Sequence, residues 1–200
     1  AARAAAEPLA ARASWAGTIG TFTTGAALAV DGPDVDGTQV DTLRQPAAVV
    51  VGAADVPAAA RVTAAYLYWA GTIDDQMDCA LAPAAIDATV LLATPGSAAF
   101  APVAADVCTC AAGAAAYDLQ ACRADITARV AASGMIGTFQ VDGFAARITN
   151  GLTDNASFAL VLVYDEPTLK PRRAALFDGV EELVMGTRRV ALSGLDIDNP

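Results

Sequence analysis

The chain has 200 residues, of which 55% are hydrophobic and 17% charged, a composition too apolar for a disordered protein. Its net charge of −10 argues against nucleic acid or an anionic membrane as a partner, because phosphate groups are bound mainly by Lys and Arg. No apolar run approaches the roughly 20 residues of a membrane-spanning helix. The bulk properties therefore predict a folded chain without a membrane span.

The N-terminal segment AARAAAEPLAARA lacks the continuous apolar core of a secretory signal. We predict that residues 1–14 form an exposed helical arm. Since no linker or composition shift divides the remainder, residues 15–200 are predicted to form a single β-sandwich domain, incomplete at its C-terminal end.

Short segments rich in β-branched and aromatic residues alternate with clusters of Gly, Pro, Asn and Asp, a pattern typical of antiparallel strands joined by turns. The predicted strands are, in chain order, residues 19–30, 47–52, 62–71, 88–93, 137–146, 158–165, 173–183 and 188–195. Residues 122–133 are predicted to contain a short helical turn that Asp125 caps. The pattern predicts an all-β fold, an antiparallel sandwich of the jelly-roll or a related Greek-key type.

The pentapeptide WAGTI occurs twice, at Trp15–Ile19 and at Trp69–Ile73. A structural repeat extends over tens of residues, but the residues flanking these two copies differ. We interpret the copies as recurring strand-and-turn chemistry and not as duplicated domains.

Four cysteines lie in the central third of the chain. Zinc sites usually show two close ligand pairs, whereas this chain has one C-x-C spacing and no histidine, so the pattern favours two disulfides. Disulfides indicate an oxidising compartment, the cell exterior or the periplasm. The spacing leaves every pairing open, and we favour Cys79 with Cys108 and Cys110 with Cys122.

Candidate catalytic residues are few because the chain contains no histidine. A Ser-His-Asp or Cys-His unit is therefore excluded within this chain. Adjacent carboxylates occur at 74–75, 165–166 and 181–182, but neighbours in a strand point to opposite faces and do not form a hydrolytic dyad by themselves. We predict no catalytic residues and a protein that is not an enzyme.

The loop DGPDVDGTQVD at residues 31–41 suggests a calcium site. Hard cations bind several closely spaced oxygens, although a plain turn explains the same glycines and proline. The candidate calcium ligands are Asp31, Asp34, Asp36 and Asp41.

The strand predicted at residues 62–71 supplies a candidate carbohydrate platform, Tyr66, Tyr68 and Trp69, with Trp15 as a further aromatic residue. Alternation along the strand places the two tyrosines on one face and Leu67 and Trp69 on the other. At least one of these faces belongs to the core, so core packing is the alternative explanation.

Three segments, at residues 64–72, 117–130 and 157–183, together resemble a domain of unknown function found near the N-terminus of large secreted or cell-surface bacterial proteins. The matches are the YLYW aromatic residues, the segment RADIT, Thr138 to Gly143 and Ala159 to Gly179. The resemblance covers roughly residues 56–195. It implies an extracellular β-sandwich without established catalytic residues.

In similar proteins further strands follow the segment that corresponds to residues 191–194. A sandwich without its last strands exposes unpaired edges, so either the chain is part of a longer protein or another subunit supplies the missing strands. The predicted assembly edge consists of Ala191, Leu192, Ser193 and Gly194.

These features together predict a non-catalytic structural or adhesive module of a bacterial cell surface or extracellular assembly, which forms filaments through edge-strand pairing. Its predicted partners are further copies of itself or other surface-protein domains, and polysaccharide. The alternative is a carbohydrate- or calcium-binding module of a secreted protein.

Overall fold

The computed structural model describes residues 9–33, 40–73, 86–112, 118–148 and 154–180. Within these ranges the chain is mostly β-strand, with one short helix, as the sequence predicts. The elements are β1 (Ala10–Gly17), β2 (Ile19–Ala27), β3 (Ala29–Val30), β4 (Thr42–Leu43), β5 (Ala47–Val51), β6 (Arg61–Thr72), β7 (Thr89–Ala93), β8 (Ala101–Ala104), β9 (Val107–Ala112), β10 (Asp118–Asp125), α1 (Thr127–Ser133), β11 (Gly137–Asp142), β12 (Ala156–Asp165) and β13 (Arg172–Asp178).

Two antiparallel sheets form a sandwich. The five-stranded sheet has the order β2-β12-β6-β10-β9, and the four-stranded sheet has the order β5-β11-β7-β8. Eight of these strands can be renumbered one to eight in chain order, namely β2, β5, β6, β7, β8, β10, β11 and β12. In this numbering the larger sheet has the order 1-8-3-6 and the smaller sheet has the order 2-7-4-5. This is the order of a jelly roll, to which β9 adds an edge strand.

The core lies between the two sheets and follows from alternation along the middle of the central strands β6 and β12. In β6, Leu67 and Trp69 are 1% and 0% exposed, and Leu160 and Leu162 of β12 lie beside them in the same core cluster. Phe139 of the facing sheet is 1% exposed. Burying a side chain of this size contributes about 1.5–3 kcal/mol, so these positions anchor the fold.

Helix α1 follows β10 directly and closes one end of the sandwich. As predicted, the carboxylate of Asp125 accepts a hydrogen bond from the next exposed amide, the N–H of Thr127, at 2.8 Å. It does so from the position before the N-cap, which is Ile126 and has no side-chain cap. The hydroxyl of Thr127 accepts from the N–H of Ala65 at 2.9 Å, and Val130 is fully buried. The helix is thereby fixed to the central strand β6.

Strands β1 and β13 pair with each other and form a separate two-stranded ribbon. The ribbon lies across the outer face of the five-stranded sheet, because Trp15 contacts Tyr66 and Asp178 contacts Tyr68. The prediction of a helical arm is wrong for residues 10–14, which are extended within β1. Pairing with β13 satisfies the backbone of this alanine-rich segment and overrides its helix propensity. Residues 1–8 lie outside the described ranges.

Candidate functional site

A polar cluster joins the ribbon to the outer face of the five-stranded sheet, with Asp178 at its centre. The carboxylate of Asp178 accepts from the guanidinium of Arg123 at 2.5 Å and from the hydroxyl of Tyr68 at 3.0 Å. It also pairs with the guanidinium of Arg12. Arg12 and Asp178 are 166 positions apart in sequence. The cluster thus connects the two strands of the ribbon to each other and to the sheet.

Local backbone geometry brings these side chains together. Arg123 of β10 and Tyr68 of β6 are directly opposite in the antiparallel ladder and point to the outer face. In β1 the register shifts between Ala11 and Ala13, so Arg12 forms a β-bulge. A bulge changes the direction of its side chain, and here it turns Arg12 toward the carboxylate at the end of β13.

Aromatic rings extend the cluster along β6. The rings of Trp15 and Tyr66 lie 6.4 Å apart in a tilted arrangement, and the guanidinium of Arg123 lies 5.9 Å above the ring of Tyr66. Aromatic pairs and cation–π contacts of this kind each contribute on the order of 1 kcal/mol. Burial, followed by the charge of Asp178, raises the pKa of Tyr68, so its hydroxyl stays protonated well above neutral pH.

A small pocket of about 50 Å³ opens beside this cluster, between the end of the ribbon and strands β9 and β10. Its polar lining comes from Arg12, Tyr68, Arg123 and Asp178. The Nε atom of Arg123 is buried and has no hydrogen-bond partner among the described residues. The pocket can accommodate about one water molecule or a small ion, and it is too small for an organic substrate.

The predicted carbohydrate platform is wrong for Trp69 and does not form a free surface at the two tyrosines. Trp69 is fully buried, and its indole N–H donates to the carbonyl oxygen of Asp87 at 2.9 Å. Tyr66 and Tyr68 do lie on the opposite face of β6, as alternation predicts, but the ribbon partly covers both. Their rings are used in contacts within the molecule.

A second polar centre, which the sequence analysis does not identify, surrounds Asp87. The side chain of the buried Gln120 accepts from the N–H of Asp87 at 2.8 Å and donates to its carbonyl oxygen at 3.1 Å. The Asp87 carboxylate accepts from the N–H of Ala145 at 2.7 Å. A glutamine that pairs with one backbone unit satisfies polar groups in the core, so this centre stabilises the fold.

The adjacent carboxylates at 165 and 166 have separate structural partners. Asp165 accepts from the hydroxyl of Thr18 at 2.5 Å, and the buried Glu166 accepts from the N–H of Thr168 at 3.1 Å. The residues at 74–75 and 181–182 lie outside the described ranges.

The disulfide pairing differs from the one that we favour from sequence. Cys108 of β9 is bonded to Cys122 of β10, and their Cα atoms lie 4.0 Å apart in directly opposite positions of the ladder. The predicted pairs of Cys79 with Cys108 and of Cys110 with Cys122 are therefore wrong. The reason is tertiary, since the antiparallel register of β9 and β10 sets which residues meet. Cys110 is also disulfide-bonded, and Cys79 lies outside the described residues.

The structure describes two of the four predicted calcium ligands. Asp41 accepts from the backbone N–H of Gly32 at 2.7 Å, next to the paired strands β3 and β4. Asp31 is exposed, whereas Asp34 and Asp36 lie outside the described residues. Within the described ranges no group of three or more Asp, Glu, Cys or His side chains is placed to hold a metal ion.

The edges of the two sheets differ in composition. Strands β2 and β5 contain no charged residue and no proline, and Val50 of β5 is 67% exposed. On the opposite flank, β8 contains Pro102 and β9 carries the disulfide. No other described strand pairs with the free edges of β2 and β5. The predicted assembly edge at 191–194 lies outside the described residues.

A groove on the outer face of the four-stranded sheet has a volume of about 350 Å³. Its side-chain hydroxyl and amide groups come from Thr94, Ser97, Thr138 and Gln140, and none of these side chains is charged.

Comparison with protein-family models, with curated proteins and with solved structures gave no match to this chain. The part of the chain that the structure describes contains no helix with the length and hydrophobicity needed to cross a membrane. The resemblance to the bacterial surface domain thus stays a prediction from the motifs.

Proposed function

We propose that this chain is a non-catalytic structural module of a bacterial cell surface or extracellular assembly, which self-associates through its sheet edges. The observation that carries the proposal is the uncharged flank of the sandwich formed by β2 and β5. Edge strands in soluble proteins are normally protected by charges, prolines or bulges, because unpaired N–H and C=O groups are a template for another strand. An edge of nine uncharged residues, β2, is suited to pairing with a neighbouring subunit.

The chemistry of the two strands supports this use. Thr21, Thr23 and Val50 are exposed and β-branched, so they favour the extended conformation of these strands and can form cross-strand pairs with a partner strand. The net charge of −10 keeps separate molecules apart in solution except where an uncharged surface allows close approach. Disulfide bonding of Cys108 with Cys122 fits an oxidising exterior.

Light scattering coupled to size-exclusion chromatography, with negative-stain microscopy under non-reducing conditions, tests the proposal. We expect regular oligomers or filaments from the native chain. Thr23→Lys and Val50→Lys place a charge on the uncharged flank and are expected to shift the population to monomer. Ala104→Lys places the same charge on the exposed outer face of the opposite edge strand β8 and is the matched control.

A native chain that remains monomeric at high concentration would contradict the proposal. Oligomers that persist in both Thr23→Lys and Val50→Lys would also contradict it, because the association would then not use this flank.

Carbohydrate binding is a second candidate function, supported by the hydroxyl- and amide-lined groove and not by the predicted aromatic platform. Neutral polar side chains such as Gln140 and Thr138 are suited to bind sugar hydroxyl groups. NMR titration with bacterial polysaccharides tests this candidate. Changes in chemical shift that are confined to residues of the groove and are lost in Gln140→Ala would support this candidate. The absence of any chemical-shift change at millimolar sugar would count against it.

A further inference from the structure

We propose that β1 is exchanged between copies of this chain, so that β1 of one copy pairs with β13 of a second copy. This inference rests on the proposed self-association and adds exchange of β1 as a second link between subunits, which the oligomer needs besides the flank formed by β2 and β5. Exchange of one identical element is a route to association that needs no new contact surface.

Strand β1 is attached to the molecule in a way that permits exchange. None of its side chains is buried, and among the described strands it is hydrogen-bonded only to β13. Its contacts with other described residues include the ring contact of Trp15 with Tyr66 and the ion pair of Arg12 with Asp178. Detachment of β1 therefore leaves the core between the two sheets intact, which is the condition for a local opening of low cost.

The connection between β1 and β2 acts as a hinge. Gly17 has a φ of +129°, a conformation that glycine adopts readily, and Thr18 alone separates it from β2. Thr18 is held independently of β1, because its carbonyl oxygen accepts from the N–H of Glu166 at 2.8 Å and its hydroxyl donates to Asp165 at 2.5 Å. The rotation is therefore localised at Gly17, and short hinges of this kind favour exchange.

The interactions that break when β1 detaches form again when it pairs with a second copy. Arg12 of the incoming strand reaches Asp178, and Trp15 reaches Tyr66, within the same ladder register. Arg12 is the only charged residue in β1, and its partner Asp178 is the only acidic residue in β13, so the same ion pair forms when β1 docks on another copy. The remaining cost is the translational and rotational entropy that two copies lose when they associate, and this cost falls as the protein concentration rises.

Cysteine trapping tests the exchange. Ser14 of β1 and Ala175 of β13 are directly opposite in the ladder. The single variants Ser14→Cys and Ala175→Cys are mixed, incubated at the concentration that gives oligomers, and oxidised mildly. Exchange predicts a disulfide-linked heterodimer on non-reducing gels, with the bond located by peptide mass spectrometry. A mixture of Ser14→Cys with Ala104→Cys, an exposed position on β8, controls for random collision.

The double variant Ser14→Cys/Ala175→Cys supplies a second measurement. When it is oxidised as a dilute monomer, an intramolecular bond locks β1 in place, and we expect at least a tenfold loss of oligomer that reduction of the bond reverses. Oligomers that form without a cross-chain bond, or that persist in the locked variant, would overturn the exchange while leaving the proposed function intact. A native chain that is monomeric at every concentration would overturn both.

Discussion

The tryptophans of the two copies of WAGTI lie on opposite faces of the five-stranded sheet. Trp69 is in β6, is fully buried, and lies opposite Cys122 in the core-facing ladder. Trp15 is in β1, is partly exposed, and rests on Tyr66 on the outer side of the same strand β6. The tryptophan of the motif thus packs in the core in one copy and in the ribbon on the outer face in the other, whereas Ile19 and Ile73 are buried in both copies. The comparison shows that the flanking residues and the partner strand determine the role of a short motif.

Replacement of each tryptophan by alanine should give the largest difference between the two copies. We expect Trp69→Ala to lower the free energy of unfolding by about 3–5 kcal/mol, because it leaves a cavity and removes the indole hydrogen bond to the carbonyl oxygen of Asp87. Trp15→Ala, the matched control, should cost about 1 kcal/mol. Urea denaturation followed by circular dichroism measures both. Equal losses of stability would contradict the assignment of the two copies to core and ribbon.

The inner copy is further stabilised by the disulfide beside it. We expect the double variant Cys108→Ala/Cys122→Ala to lose about 3 kcal/mol, since the bond closes a loop of 14 residues in the unfolded chain. Thermal unfolding of the variant and the native chain in the absence of reductant measures the loss. A loss below the error of the measurement would contradict a structural role for this bond.

The outer copy depends on the polar cluster that holds its ribbon. We expect Asp178→Asn to lower stability by about 1–3 kcal/mol, because Arg123 loses its charged partner in a partly buried position. A double-mutant cycle with Tyr68→Phe should show coupling of about 0.5–3 kcal/mol. The same cycle with Val50→Ala, on the other sheet, should be additive within about 0.5 kcal/mol. Additivity in both cycles would contradict the cluster.

The smallest effect concerns pH. Burial and then the charge of Asp178 raise the pKa of Tyr68 above the unfolded value of about 10. The folded state therefore binds the phenolic proton more tightly, and this stabilisation is complete below about pH 10 and is lost as pH rises further. Stability measured between pH 9 and pH 11 should fall less steeply in Tyr68→Phe. Identical slopes would show that Tyr68 does not contribute.

Several strands were predictable because their composition and alternation are unambiguous. β6 and β12 are dense in β-branched and aromatic residues, and their inner and outer faces follow from the two-residue period. β9 and β10, with the sequences VCTCAA and DLQACRAD, carry weak strand signals and were missed. Their strand conformation comes from pairing with β6 and with each other, so local propensity could not reveal it.

The candidate site was predictable only in part for the same reason. The sequence identifies Tyr66 and Tyr68 as residues of one face, but it does not show that a ribbon covers them. Arg12 and Asp178 stand in segments without any shared motif, and a bulge in β1 is needed to bring them together. The disulfide partner of Cys122 likewise depends on ladder register.

Local periodicity and hydrophobic burial predict the fold class, the positions of the strongest strands and the side of β6 that faces the core. The jelly-roll order, the pairing of Cys108 with Cys122, the ribbon over the outer face and the uncharged flank depend on the folded arrangement. Those features arise from contacts between residues far apart in the chain. Such contacts depend on strand order and register, which no short segment encodes alone.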